Sequence, residues 1–383
     1  MGAPHSPVDS DARASTASLT GRDSEHLGVE RNRFLAPPPE RPVEPGLPPT
    51  FSVIVAAHNA ADVIGEALDS ALEQTVAPLE VIVCDDGSTD DLDTALEPYR
   101  DRIRVLRKER GGEGSAKNAA AAAASGDFVV ILDADDVFFP TRLEALGKLA
   151  AARPDLDILT TDAYLTVEGR VIRRCYDGKW TFAVNDQRRE ILRRNFIFGH
   201  AAVRRERLLS DGGFDEAILW TTDWDRWLRL IFEGSRAGVV EEPLALYRLR
   251  ESSLSTRRDD LVRGKIMTLE KACANPALRP DDRPVLEGAI AEYRRELELS
   301  ELRRALATGT RGSRWQALRV ATARGFSTRE RLEAAAAVLA PGISGRVSRS
   351  RAGRFWTGAG GIRVPRPASG SAVDGGPRGT PPL

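Results

Sequence analysis

The sequence predicts an α/β fold with a mostly parallel central sheet, followed by a C-terminal helical region. Short apolar runs alternate with helical patterns between about residues 50 and 150, which is typical of parallel strands covered by helices. Acidic residues directly follow two of these runs, and ligands bind at the carboxyl ends of strands in such sheets. Beyond about residue 259 the apolar spacing is purely helical.

The first half of the folded region is predicted to run β-α-β-α-β-α-β-α, as in nucleotide-binding folds. Asn59 is expected to cap the first helix, because its side chain can accept hydrogen bonds from free backbone amides. A mostly alanine helix, closed by Gly126, is expected to pack closely on the sheet. The predicted strands are 51–57, 80–84, 103–106 and 127–132, and the third and fourth helices are 115–125 and 140–149.

The second half changes architecture at about residue 158. Two β-like runs around Glu168 and Gly169 predict an antiparallel hairpin over 158–166 and 170–174, and a helix is expected through Trp224 and Trp227. The chain therefore divides into a disordered proline-rich arm (1–48), a folded domain (49–258, with halves 49–150 and 151–258), a helical appendage (259–341) and a disordered basic tail (342–383).

Composition excludes several classes of protein. The 383 residues are 42% hydrophobic, but no run approaches the roughly 20 apolar residues of a membrane-spanning helix. The net charge of −1 lacks the basic excess typical of a dedicated nucleic-acid binder. Three widely spaced cysteines argue against disulfide scaffolds, zinc sites and thiol catalysis. Because the N-terminus has no apolar signal core, we expect a cytoplasmic protein.

The candidate functional residues lie at the ends of three predicted strands. They are residues 56–59, residues 85–88 with Asp85 and Asp86, and residues 133–136 with Asp133 and Asp135. Carboxylates beside helix N-termini suit a site that reads a base or sugar and holds a hard divalent cation against phosphates. Mn²⁺ or Mg²⁺ fits such oxygen ligands.

These segments, in this order, resemble the family 2 glycosyltransferases of the GT-A fold. The matching text includes FSVIVAAHN, VIVCDDGSTDD, SAKN, FVVILDADD, GGFDE and TTDWD, within about residues 50–250. The resemblance implies a GT-A type nucleotide-binding fold and an inverting glycosyltransferase using a nucleoside-diphosphate sugar, Mn²⁺ or Mg²⁺ and a saccharide or lipid-linked acceptor. It also implies work in cell-envelope polysaccharide or glycoconjugate synthesis. Residues 49–150 would then form the nucleotide-sugar-binding half, and residues 151–258 the acceptor half.

The resemblance assigns donor-binding roles residue by residue. Ala56 and His58 stand where the family often has proline and tyrosine, beside the donor base. Asp86 would hydrogen-bond the base ring, and Asp85 would support the turn. Lys117, in place of the more usual arginine, would lie near the phosphates.

The resemblance likewise assigns the metal and the base. Asp133 would reach the ribose or metal, and Asp135 would ligate the metal. Asp223 falls where the family's catalytic base lies, although Thr222 replaces the glutamate that often precedes it. The metal would stabilise the departing diphosphate, and the base would deprotonate the acceptor hydroxyl.

Simpler explanations remain open for each group. The acids at residues 85–86 and 133–136 also suit turns, and Asp223 suits a helix cap or a partner for Arg226. His200 is either an acceptor-site residue or a satisfied, half-buried histidine. At the level of function, a nucleotidyltransferase and a sugar-nucleotide-binding protein without turnover are the alternatives.

The C-terminal helical text mixes arginines with large apolar residues. Six arginines fall between residues 311 and 331, among Trp315, Leu318 and Leu332. One hypothesis is peripheral contact with an anionic membrane through residues 303–354, at the inner face of the membrane. The simpler alternative is a helical cap with a solvated arginine face.

Overall fold

The structure, a computed structural model, describes residues 48–178, 180–250, 258–310, 312–339, 355–358 and 362–365. The predicted arm, apart from residue 48, and most of the predicted tail lie outside these residues. None of the helices in this described part of the chain has the length and apolarity needed to span a bilayer.

The first half has the predicted alternation of strands and helices. The strands extend one or two residues further toward the site than expected, because residues 85–86 and 133 continue the backbone pairing. In chain order the elements are β1 (Phe51–Ala57), α1 (Ile64–Leu72), β2 (Glu80–Asp86), α2 (Leu92–Leu96), β3 (Arg104–Lys108), α3 (Glu113–Ala123), β4 (Phe128–Asp133), β5 (Val137–Phe138) and α4 (Arg142–Ala152).

The second half continues the same sheet. Its elements are β6 (Ile158–Val167), β7 (Arg170–Arg174), α5 (Gln187–Ile191), β8 (Ala202–Arg204), α6 (Arg205–Leu209), α7 (Thr222–Phe232) and β9 (Ala237–Leu249). The strand order is β3-β2-β1-β4-β8-β6-β9-β5, with β7 on β6. The first four strands are parallel, and β8 joins the two halves by pairing antiparallel with both β4 and β6.

The sheet is covered on both sides, which explains its uninterrupted apolar strands. Along β1, Val53 and Val55 enter one buried cluster and Ile54 enters the other, all with no exposed surface. Ala116 and Ala120 of α3 belong to the second cluster. The alanine run therefore brings this helix close to the sheet, as predicted.

Two turns test predictions made from local sequence, and one prediction is correct and the other is not. Glu168 and Gly169 have φ of 47° and 72°, the left-handed geometry of a two-residue hairpin turn, and the predicted hairpin is confirmed. The predicted cap at Asn59 is wrong. Helix α1 begins at Ile64 without a side-chain cap, and Asn59 Oδ1 instead accepts a hydrogen bond from the backbone amide of Thr89 at 2.8 Å.

The region after residue 258 is helical, as predicted. It comprises α8 (Arg258–Ala272), α9 (Arg283–Thr308), α10 (Ser313–Thr322) and α11 (Thr328–Leu339). Leu269 of α8 and Leu286 of α9 join the core of the sheet domain, whereas α10 and α11 close a small separate core with the end of α9.

The predicted tail contains an element that the prediction of disorder did not include. Strands β10 (Phe355–Gly358) and β11 (Ile362–Pro365) pair antiparallel. Their aromatic and β-branched residues favour strands, a signal that the glycine and proline content of the segment obscured.

Candidate active site

The three predicted strand ends meet at one edge of the sheet. Ala56, at the end of β1, pairs with Cys84 of β2 on one side and with Asp133 of β4 on the other. The acids at the ends of β2 and β4 therefore flank the end of β1, as the parallel order requires.

Asp86 anchors the loop that leads into α3. Its carboxylate is 3% exposed and accepts hydrogen bonds from the Gly111 amide at 2.8 Å, the Gly112 amide at 2.7 Å and Lys108 Nζ at 2.9 Å. Burial alone would raise the pKa of Asp86, but the hydrogen bonds hold it below its ordinary value. Since a carboxylate has about four acceptor positions, these three donors occupy all but one of them.

His58 is fixed beside Asp86. His58 Nδ1 lies 3.0 Å from the backbone carbonyl oxygen of Asp86. A carbonyl only accepts, so Nδ1 carries the proton and Nε2 is left as an acceptor when the ring is neutral. Asp85 Oδ1 accepts a hydrogen bond from the Ser88 amide at 2.9 Å, which is the turn-supporting role predicted for it.

Lys117 is buried rather than exposed at the surface of the site. It is 2% exposed, forms an ion pair with Glu113 and places Nζ 3.2 Å from Asp133 Oδ1. Burial alone would lower the pKa of Lys117, but Asp133 and Glu113 raise it above its ordinary value. Lys117 therefore stays charged and in turn lowers the pKa of Asp133 against the effect of burial.

Asp223 lies in the first turn of α7, and both of its oxygens are oriented. Oδ2 accepts a hydrogen bond from Asn195 Nδ2 at 2.9 Å, and Oδ1 accepts one from the Trp224 amide at 2.8 Å. Burial raises the pKa of Asp223 to about 6. The alternative partner, Arg226, instead donates to the carbonyl oxygens of residues 207, 208 and 210.

Asp133 and Asp223 border the same small space. A Cβ atom placed on Gly199 would lie 3.7 Å from Asp133 Oδ2 and 3.9 Å from Asp223 Oδ2. The two carboxylates come from different halves of the domain, and Gly199 leaves the room between them that a side chain would fill. An acid from β4 and an acid from α7 therefore border one small space.

Among the residues that the structure describes, one group has the spacing of metal ligands. One atom each of Asp133, Asp136 and His200 lie within 4.8 Å of one another. Asp136 and His200 are 1% and 2% exposed and hydrogen-bond to each other, while Asp136 Oδ1 accepts from the Arg248 amide at 2.8 Å. His200 is thus a hydrogen-bonded histidine, as one explanation held, but it is buried rather than half-buried.

Asp135 lies beside this group but outside it. Burial, then Asp136 and Asp133, raise the pKa of Asp135 to about 7. A divalent cation stabilises the ionised form of such crowded carboxylates, because its charge offsets their mutual repulsion. The oxygen-rich donor set fits Mn²⁺ or Mg²⁺.

Comparison with known proteins shows which family the domain resembles. Residues 52–212 match the model of glycosyl transferase family 2. A 186-residue stretch is 31% identical to an uncharacterized glycosyltransferase of Rickettsia prowazekii, covering 47% of this chain and 58% of the relative. A 188-residue stretch is 35% identical to a chondroitin synthase of Pasteurella multocida, covering 48% of this chain and 19% of the relative. The chain thus spans only part of the curated relatives it matches.

The fold is also that of a solved glycosyltransferase. The mannosyltransferase PcManGT of Pyrobaculum calidifontis, determined with GDP-Man and Mn²⁺, superimposes with a TM-score of 0.54 at 22% identity, over 86% of this chain and 93% of that one. The predicted GT-A type fold is confirmed.

Proposed function

Because residues 52–212 match the model of glycosyl transferase family 2, we propose that this chain is a metal-dependent, inverting glycosyltransferase. It transfers a sugar from a nucleoside-diphosphate sugar to an acceptor hydroxyl. The observation that carries the proposal is the pair of carboxylates bordering Gly199, one on β4 and one at the start of α7.

Asp223 is the proposed general base. An acceptor hydroxyl has a high pKa, so its proton must be taken as the new bond forms. A carboxylate with a pKa of about 6 is ionised at neutral pH and is still a stronger base than an ordinary aspartate. One displacement assisted by one base inverts the anomeric carbon.

Asp135, together with Asp133, is the proposed cation ligand. Asp136 and His200 satisfy each other, whereas Asp135 is half-buried and has a raised pKa. Mn²⁺ or Mg²⁺ held there would stabilise the negative charge of the departing diphosphate. Lys117 holds Asp133 in place from below, so we assign it a positioning role beside its proposed proximity to the phosphates.

The end of the sheet near β1 and β2 is the proposed nucleotide pocket. Asp86 keeps one acceptor position for a base N–H, and His58 Nε2 adds a second acceptor nearby. Ala56 would line the pocket without blocking it. The chondroitin synthase relative supports a saccharide acceptor and a role in polysaccharide or glycoconjugate synthesis.

The test measures UDP or GDP release from a panel of UDP- and GDP-sugars with Mn²⁺, and calorimetric binding of UDP and GDP with and without Mn²⁺. We expect Asp135→Asn to abolish turnover and the Mn²⁺-dependent part of nucleotide binding, because an amide is a neutral and poorer ligand. Asp101→Asn, in an exposed turn after α2, is the matched control. Unchanged Mn²⁺ dependence in Asp135→Asn, with loss in His200→Gln, would move the cation to the buried group.

Nucleotide binding without any release of UDP or GDP in the unmodified chain would contradict catalysis itself. That result would leave a sugar-nucleotide-binding protein without turnover.

A further inference from the structure

Helices α10 and α11 carry several large apolar side chains that are exposed. Leu339 and Trp315 are 84% and 76% exposed, more than any other large apolar side chain in the described residues. Leu332 and Leu318, on the same two helices, are 65% and 40% exposed. We call these four residues the outer apolar face.

Helical spacing separates this face from the buried side. Trp315 and Leu318 are three residues apart and Leu332 and Leu339 seven apart, so each pair shares one side of its helix. The opposite sides carry Ala317, Val320, Ala334 and Ala337, which close the small core with α9. The outer apolar face therefore contributes nothing to that core.

Arginines surround the outer apolar face. Arg314 and Arg324 are exposed, and the side chains of Arg319 and Arg329 are 68% and 81% exposed even though they pair with Glu298 and Glu333. Residues 312–339 contain five arginines and two acids, so this segment is basic in a chain whose net charge is −1.

We propose that the outer apolar face and its arginines form a docking surface for an anionic lipid bilayer. Tryptophan and leucine enter the boundary between headgroups and acyl chains, where aromatic side chains are favoured. The arginines attract the phosphates of anionic lipids. Two copies of this surface would instead bring arginines against arginines, so charge favours a membrane over a second copy. This inference does not depend on the proposed catalysis.

Vesicle flotation of the full chain tests the proposal. The vesicles are phosphatidylcholine alone or phosphatidylcholine with phosphatidylglycerol, at low and at high salt. We expect flotation only with the anionic vesicles and strongest at low salt. The double variant Trp315→Ser, Leu318→Ser should lower the partition coefficient about tenfold or more, and Arg314→Gln, Arg324→Gln about fivefold for each arginine.

Matched controls lie elsewhere on the surface. Leu79→Ser, at a 54% exposed leucine, and Arg170→Gln on the edge strand β7 should float like the unmodified chain. The unfolding midpoint of each variant shows that it is folded. Flotation unaffected by the Trp315 and Leu318 changes overturns the proposal. So does a dimer, measured by light scattering, that these changes dissociate while no variant binds vesicles.

Discussion

Removing the side-chain amide of Asn195 is expected to shift the pH dependence of transfer upward. Asn195 Nδ2 donates to Asp223 Oδ2 at 2.9 Å, and this bond stabilises the ionised carboxylate. Its loss in Asn195→Ala leaves Asp223 with one hydrogen-bond donor fewer. A hydrogen bond to a charged group contributes about 1.5 to 3 kcal/mol, which corresponds to about one to two pKa units.

The sign follows from the role of Asp223 as a base. Transfer needs the ionised form, so kcat/KM of the unmodified chain should rise with pH through about 6, where the pKa of Asp223 lies. In Asn195→Ala the rise should come about one to two units higher. At pH 6 the variant should therefore be about five- to fiftyfold slower than the unmodified chain, with much less difference at high pH.

The assay is the pH profile of kcat/KM for the donor that the panel identifies. Trp180→Phe is the matched control, because Trp180 Nε1 donates to the backbone carbonyl oxygen of Asn195 at 3.0 Å and its loss disturbs the same segment without touching the amide. We expect its profile to keep the midpoint near 6. Equal shifts in both variants, or a uniform loss at every pH in Asn195→Ala, would refute the orienting role of Asn195.

Three further predictions concern the base, the Asp86 loop and two glycines. Asp223→Asn should lower transfer about 100-fold or more while calorimetric UDP or GDP binding persists; an equal loss of binding would make Asp223 a donor or structural residue. Asp86→Asn should lower the free energy of unfolding in urea by about 2 to 3 kcal/mol at neutral pH. Because the pKa of Asp86 is lowered in the folded state, its ionised carboxylate stabilises the fold fully above the ordinary carboxyl range, and this stabilisation fades as pH falls through the folded pKa. The stability of the variant should therefore approach that of the unmodified chain in acid. A difference independent of pH would contradict this. Gly169→Ala should destabilise the fold by about 1 kcal/mol because φ is +72° at this glycine. Gly288→Ala, inside α9 with open space around it, should stabilise the fold by about 0.5 to 1 kcal/mol. A change of the same sign in both variants would contradict the backbone argument.

The fold could be predicted from the sequence because strands buried on both faces of the sheet consist of continuous apolar runs. Residues 51–57 had to be a central strand, since Val53, Ile54 and Val55 meet helices on opposite sides of the sheet. The acids at the ends of β2 and β4 were predictable for the same reason, because the sequence changes abruptly there from apolar to charged residues. Their meeting at one edge follows from parallel order alone.

Hydrogen bonds between side chains far apart in the sequence could not be predicted. Asn195 lies outside any helix or strand and gains its role from Asp223, 28 residues later. His200 is likewise defined by Asp136, 64 residues earlier. Asn59 misled for the same reason, because Thr89 competes for its side chain across the neighbouring strand end. Local propensity contains no information about such pairs.

The position of β8 has a consequence for how the chain is made on the ribosome. Until residues 202–204 are synthesised, the side of β4 that will pair with them is an open, apolar strand edge. At about 5–20 residues per second that edge waits for several seconds, and open edges recruit other chains. The first half should therefore be the aggregation-prone stage of biosynthesis. The space beside Gly199, which Asp133 and Asp223 border, forms only after Asp223 has emerged and α7 has docked.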